Sequence, residues 1–206
     1  MSSTALERAL DGSRAGATRG TPLDALRLAR RMWLADQRID MGALATELGI
    51  SRATLYNWVG DRDRLIGEVL WSFAAESIAR SREQATGSGP AYLSDVIERY
   101  LTALAGFEPN RRFIARDPEL ALRVLTGNRT SFQQRLIDAT AQMIQEQVDN
   151  AGYVPPLEPE TLAYVIVRIG ESFIFNDVIT GSEPDLTKAA QASRVLLHAP
   201  RVAGDT

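Results

Sequence analysis

The stretch Ser51-Arg-Ala-Thr-Leu-Tyr-Asn-Trp58 holds the side chains best suited to chemistry with a polyanion. A guanidinium can take a guanine bidentately, a carboxamide can take an adenine, and an Ala or Thr methyl can touch the thymine methyl. Thr and Tyr hydroxyls reach phosphate oxygens, and a helix N-terminus adds its own amide donors. On a helix capped by Ser51, Leu55 turns inward while Arg52, Ala53, Thr54, Tyr56 and Asn57 face out. Arg62 is placed for a further phosphate at the start of the next helix. The candidate nucleic-acid-contacting set is therefore Ser51, Arg52, Ala53, Thr54, Tyr56, Asn57 and Arg62.

Other chemistries lack their residues. Cysteine is absent, which removes disulfides, thiolate metal sites and cysteine nucleophiles. His198 is the single histidine, and a lone histidine there reads as solvated surface. The carboxylates lack the spacing of a calcium loop, and no metal site is expected. Neither a Gly-rich phosphate loop nor a Gly-x-Ser-x-Gly elbow occurs, so catalysis and a cofactor are not expected either.

Short elements must position the outward set. Asp40 offers an N-cap to a helix from Met41 to Leu48, and Gly49 ends it as a left-handed residue commonly does. Ala45 is small enough to let two helices cross closely, and Ile50 and Leu55 plug the gap between them. The result is two helices joined by a tight turn, a helix-turn-helix. Before it, Thr21-Pro22 starts a helix with Leu26, Ala29 and Trp33 on one face. Residues 1–20, rich in Gly, Ser, Ala and Arg, show no apolar period and are expected to form a mobile arm. A long helix follows from about Arg62 to Glu83, and Gly/Pro signals divide the remainder into helices near 91–106, 109–116, 118–126, 129–151, 159–179 and 185–198. No two-residue alternation persists, so the expected fold is all-α with about nine helices. The expected domains are the arm 1–20, a helix-turn-helix domain 21–65, and a helical domain 66–206 for ligand binding and dimerisation.

The turn alone is compatible with a plain helical hairpin. Ile50-Ser-Arg-Ala-Thr-Leu-Tyr-Asn-Trp58, followed by Asp61-Arg-Asp-Arg-Leu-Ile66 entering a long helix, is more specific and resembles the TetR family of transcriptional regulators. The resemblance implies a three-helix DNA-binding domain, a helical ligand-binding domain and a homodimer on a pseudo-palindromic double-stranded operator. It departs at Met41, where members often carry Thr, and at Gly60, where they often carry Lys and where one phosphate contact is lost. Phe113–Thr126 and Leu162–Gly181 further resemble QsdR-type members of the family. That likeness implies a small-molecule effector derived from a lactone, such as an N-acyl-homoserine lactone or a related γ-lactone, and a repressor released by it. Alternatives are a helical acyl-lactone-binding or enzymatic module without DNA binding, and an activator controlled by a partner.

At about 100° per residue, the penultimate helix gathers Thr161, Tyr164, Arg168, Glu171, Ser172 and Phe175 on one face. Leu162, Ala163, Ile166, Gly170, Phe173 and Ile174 fall on the other. Apolar material on both faces demands cover on both sides. The plain face is assigned to a dimer seam of Leu162, Ile166, Gly170 and Phe173, joined by Leu186, Ala190, Ser193 and Leu197 of the last helix in a four-helix interface. The mixed face is assigned to an effector site of Tyr164, Arg168, Glu171 and Phe175, with Phe73, Tyr100 and Phe132 as further walls. Arg168 and Glu171 stand as either a head-group anchor or a helix salt bridge.

The 206 residues carry a net charge of −3, which excludes a basic nucleic-acid coat and a polybasic membrane binder. The surplus is uneven: residues 1–65 hold ten Lys+Arg against eight Asp+Glu, a small basic head on an acidic body. No apolar run approaches a bilayer span and no secretory h-region opens the chain, so a cytoplasmic protein is expected.

Overall fold

The structure, a computed structural model, describes residues 4–10, 20–127, 130–174 and 185–201. Among them there are eleven helices and no strand, which bears out the all-α expectation with more helices than the expected nine or so. In chain order they are α1 (Ala5–Leu10), α2 (Pro22–Leu34), α3 (Met41–Glu47), α4 (Arg52–Val59), α5 (Arg62–Gln84) and α6 (Gly89–Gly106). There follow α7 (Glu108–Arg116), α8 (Pro118–Thr126), α9 (Phe132–Ala151), α10 (Pro159–Ile174) and α11 (Leu186–Leu197). No helix of the described residues is long and apolar enough to cross a membrane.

The chain forms two compact units, Met1–Phe73 with Arg112–Phe132, and Ala74–Arg111 with Gln133–Thr206. The two units divide inside α5, and a distant segment joins the first. Side chains far apart in sequence cause this. Trp33 packs against Phe113 with ring centroids 4.7 Å apart. Arg123 Nε donates to Asp63 Oδ2 at 2.8 Å, and Asp36 receives both Arg112 and Arg116. Gly67 leaves α5 bare where Thr130 lies against it.

The caps of the first unit follow the residue types. Thr21 and Asp24 exchange bonds in a capping box at the start of α2, Asp40 Oδ1 accepts from Ala43 N, and Ser51 Oγ accepts from Thr54 N. Gly49 takes φ +66° between α3 and α4, a conformation that costs glycine nothing. Ala45 and Leu55 are buried at the crossing, and burying Leu55 contributes roughly 1.5–3 kcal/mol.

The expected arm contains a short helix. Residues 4–10 are ordered as α1, whose start is a second capping box between Thr4 and Glu7 and whose Leu6 is fully buried. α1 packs on α2 and α4. One buried side chain in a six-residue helix is too little for a period to register, so composition alone suggested a tail. Residues 11–19 of the expected arm lie outside the described residues.

The second unit is a helical core of Leu93, Val96, Ile97, Leu101, Met143, Ile144, Leu162, Ile166, Leu186 and Leu197. α11 packs on both α6 and α10. Tyr153 Oη donates to Leu197 O at 2.7 Å and closes the C-terminal end of that core; burial pushes its pKa up to about 12.

Candidate nucleic-acid interface

α4 presents its outward set as the caps and the turn dictate. Leu55 and Val59 are buried, which fixes the rotation of the helix and leaves Ser51, Arg52, Ala53, Tyr56 and Asn57 exposed on its other side. Thr54 is partly covered, and its hydroxyl shares a hydrogen bond with Ser51 Oγ at 2.9 Å. Ser51 and Thr54 therefore spend their hydroxyls on capping first, while no hydrogen bond or ion pair engages Arg52, Tyr56 or Asn57 among the described residues. Arg62 is half-buried and its Nε donates to Ile39 O at 2.8 Å, which ties the start of α5 to the loop before α3. Its structural task was not legible, because Ile39 lies 23 positions away in sequence.

Two further residues shape this face. Asp40 caps α3, and the Ala43 N–H holds its carboxyl below the usual range, with Arg52 and Arg62 adding to the effect. Gly60 ends α4 at φ +79°, and a Cβ there would stand 2.8 Å from Arg64 Cδ and 3.3 Å from Thr4 Cγ2. That position therefore has no room for a lysine without strain, a physical reason for the departure noted above.

The expected effector residues scatter between the two units. In the first, Phe73 lies under the Arg30 guanidinium, 4.4 Å from its ring centroid, and Phe132 meets Trp71 edge-on at 6.4 Å. In the second, Tyr100 packs against the core and burial pushes its hydroxyl up to about 12. Glu171 is buried and accepts three hydrogen bonds from two donors: Arg168 Nη1 at 2.7 Å, and Gln133 Nε2 at 2.7 and 3.0 Å to its two oxygens. Burial raises its pKa, against the pull of Gln133 and Arg168. Gln133 was missed because it comes from α9, with nothing in its neighbourhood to mark it. Tyr164 is 50% exposed, and Phe175 lies outside the described residues. No group of three or more potential metal ligands comes together among the described residues.

Residues 88–198 match the family model described as the Tetracyclin repressor-like C-terminal domain. The chain belongs to the TetR family. The R. erythropolis transcriptional repressor QsdR, from the TetR family, has a similar solved structure: TM-score 0.80 and 29% sequence identity over 89% of this chain and 97% of that one. No curated protein sequence matches the chain. As a TetR-family member it is a DNA-binding transcriptional regulator and not an enzyme.

Several residues of the expected dimer seam are packed within their own chain. Leu162, Leu186 and Leu197 are at most 8% exposed and Ser193 1%, all within their own chain. Ile166 joins the same core, Phe173 and Ala190 pack against it, and Gly170 faces Leu101. A side chain without accessible surface cannot meet a partner. Leu101 of α6 and Leu186 and Leu197 of α11 share that core and cover this side of α10 within the chain. The faces left open carry Thr161, Tyr164, Arg168 and Ser172 on α10, and Val195, 73% exposed, on α11.

Proposed function

We propose that this regulator is a homodimeric repressor that leaves its operator when a small, lactone-derived effector binds the helical second unit. The observation that carries the reading is the outward set on α4: Arg52, Tyr56 and Asn57 are exposed together, and no hydrogen bond or ion pair holds their side chains among the described residues. A dimer sets two such helices into successive major grooves, about 34–36 Å apart, on a pseudo-palindromic operator. The dimer contact is assigned to the open faces of α10 and α11, centred on Tyr164 and Val195. Such solitary exposed apolar side chains on neighbouring helices suit burial by a symmetric copy.

The repressor role draws its support from QsdR, which is described as a transcriptional repressor. The lactone class rests on the likeness of Phe113–Thr126 and Leu162–Gly181 to QsdR-type regulators. Within the second unit, Tyr100 and Glu171 with Gln133 supply the polar contacts. Release needs differential affinity: an effector favouring the DNA-incompetent state lowers operator affinity by its coupling energy, typically ~1–3 kcal/mol.

A mobility-shift titration against the neighbouring intergenic DNA tests the first half. Arg52→Ala is expected to cost about 1–3 kcal/mol and to relax the base preference at one position. An unchanged shift would remove Arg52 from the reading face. Adding acyl-homoserine lactones and γ-lactones to the retained complex tests the second half. If none releases the DNA, the effector class is wrong and the DNA-binding claim stands.

A further inference from the structure

Arg52 is the one guanidinium on the exposed face of α4, and what aims it is not a hydrogen bond. No hydrogen bond or ion pair holds its side chain among the described residues, although it is the first residue of the helix and exposed. Its guanidinium lies across the backbone of α3 at Gly42. A Cβ built on Gly42 would overlap Nη2 outright and stand 3.0 Å from Cζ and 3.1 Å from Nε. The three nearest atoms to that missing methyl all belong to one side chain. The charge at the same corner agrees, because the Asp40 carboxylate, two residues before Gly42, feels Arg52.

We infer that Gly42 is a positioning residue for DNA reading: its lack of a side chain seats the Arg52 guanidinium and so sets which base Arg52 reaches. The inference rests on the DNA-binding reading of α4. A glycine inside a helix is otherwise a poor choice, since alanine is the better helix former. Nor does the backbone require glycine at this position, which is absent from the positive-φ residues. The three atoms that a methyl at 42 would meet first are the far end of one flexible side chain, so α3 and α4 can stay as they are while the guanidinium is displaced. Stability and reading are thereby separable. A guanidinium moved by a few ångströms loses a bidentate geometry that depends on both donors meeting one base edge.

The experiment compares wild type, Gly42→Ala, Arg52→Ala and the double variant. The probe is a duplex enriched from a randomised pool by the wild-type protein. Affinity is read by fluorescence anisotropy, base preference by repeating the enrichment, and stability by thermal unfolding. Gly42→Ala is expected to melt no lower than wild type, to bind the duplex about tenfold more weakly, and to lose preference at the position that Arg52→Ala also relaxes. In the Arg52→Ala background, Gly42→Ala is expected to have no further effect. Wild-type affinity and preference in Gly42→Ala overturn the inference, and so does an equal loss with Arg52 already removed. If the wild type enriches no duplex, the DNA-binding reading itself fails and takes this role with it. If it does enrich one and Gly42→Ala reads it unchanged, only the role of Gly42 falls.

Discussion

α4 and α10 both turn a tyrosine and an arginine to solvent, and they use them in opposite ways. Tyr56 is 47% exposed and Tyr164 50%, so exposure does not separate the two helices. Commitment does. Arg168 is held by Glu171 on its own helix, whereas Arg52 rests against Gly42 with its donors unengaged among the described residues. A cation with open donors is ready for phosphate or a base edge. A neutralised pair beside an exposed aromatic ring suits a protein surface, since it adds little net charge to be desolvated. Two helices of similar outward composition are therefore told apart by what their charges already hold.

The comparison breaks most severely from behind. Leu55 is fully buried under α4 and fixes which side faces out. Leu55→Ala is expected to cost about 2–5 kcal/mol in the first unit, read by chemical denaturation, and to remove operator binding with it. A variant of normal stability would mean that α4 does not pack on this side chain, and its outward set would have to be redrawn.

A carboxylate placed on each exposed tyrosine sharpens the contrast. Tyr56→Glu should leave the protein dimeric and abolish operator binding, because it sets a negative charge against phosphates. Tyr164→Glu, combined with Val195→Glu, should weaken the dimer by about 2–5 kcal/mol through unpaired charge at the interface. Sedimentation velocity across a concentration series reads the second effect. Dimers that survive both carboxylates would place the contact elsewhere than α10 and α11.

The different legibility of the two helices has a physical origin. The rotation of α4 is fixed locally: Ser51 caps it, Gly49 precedes it in a left-handed turn, and Leu55 is its central apolar residue. Each of those signals lies within a few residues, so the outward set was readable. α10 carries apolar residues beside a polar stripe of Thr161, Tyr164, Arg168 and Ser172, and its neighbours decide what covers the apolar side. Part of that cover comes from α6, far back along the chain, so the packing of Leu162 and Ile166 within the chain was not legible. The same limit explains Gln133 on Glu171, Arg62 on Ile39 and the 112–132 segment on the first unit. Capping, turns and the all-α class are local and were visible. Pairings across tens of residues were not.

The smallest expected effect concerns the charge that keeps Arg168 occupied. Glu171 has a raised pKa because burial penalises its ionised form more than Gln133 and Arg168 favour it. Below the ordinary glutamate value both the folded and unfolded chains hold the proton, and the group has no pH-dependent cost. Above that value the unfolded chain releases its proton first, so stability falls as pH rises until the native carboxyl ionises as well. The slope for one proton cannot exceed about 1.4 kcal/mol per pH unit. Glu171→Gln keeps a carbonyl oxygen for Gln133 and removes the titration. The difference in unfolding free energy, wild type minus variant, should therefore decline between about pH 4 and the raised native value, and level off beyond it. Groups common to both proteins cancel in that difference. A difference that instead rises with pH would mean that Arg168 and Gln133 outweigh burial. The pair would then stabilise α10 in its own right, and the carboxylate would be too firmly held to answer an effector.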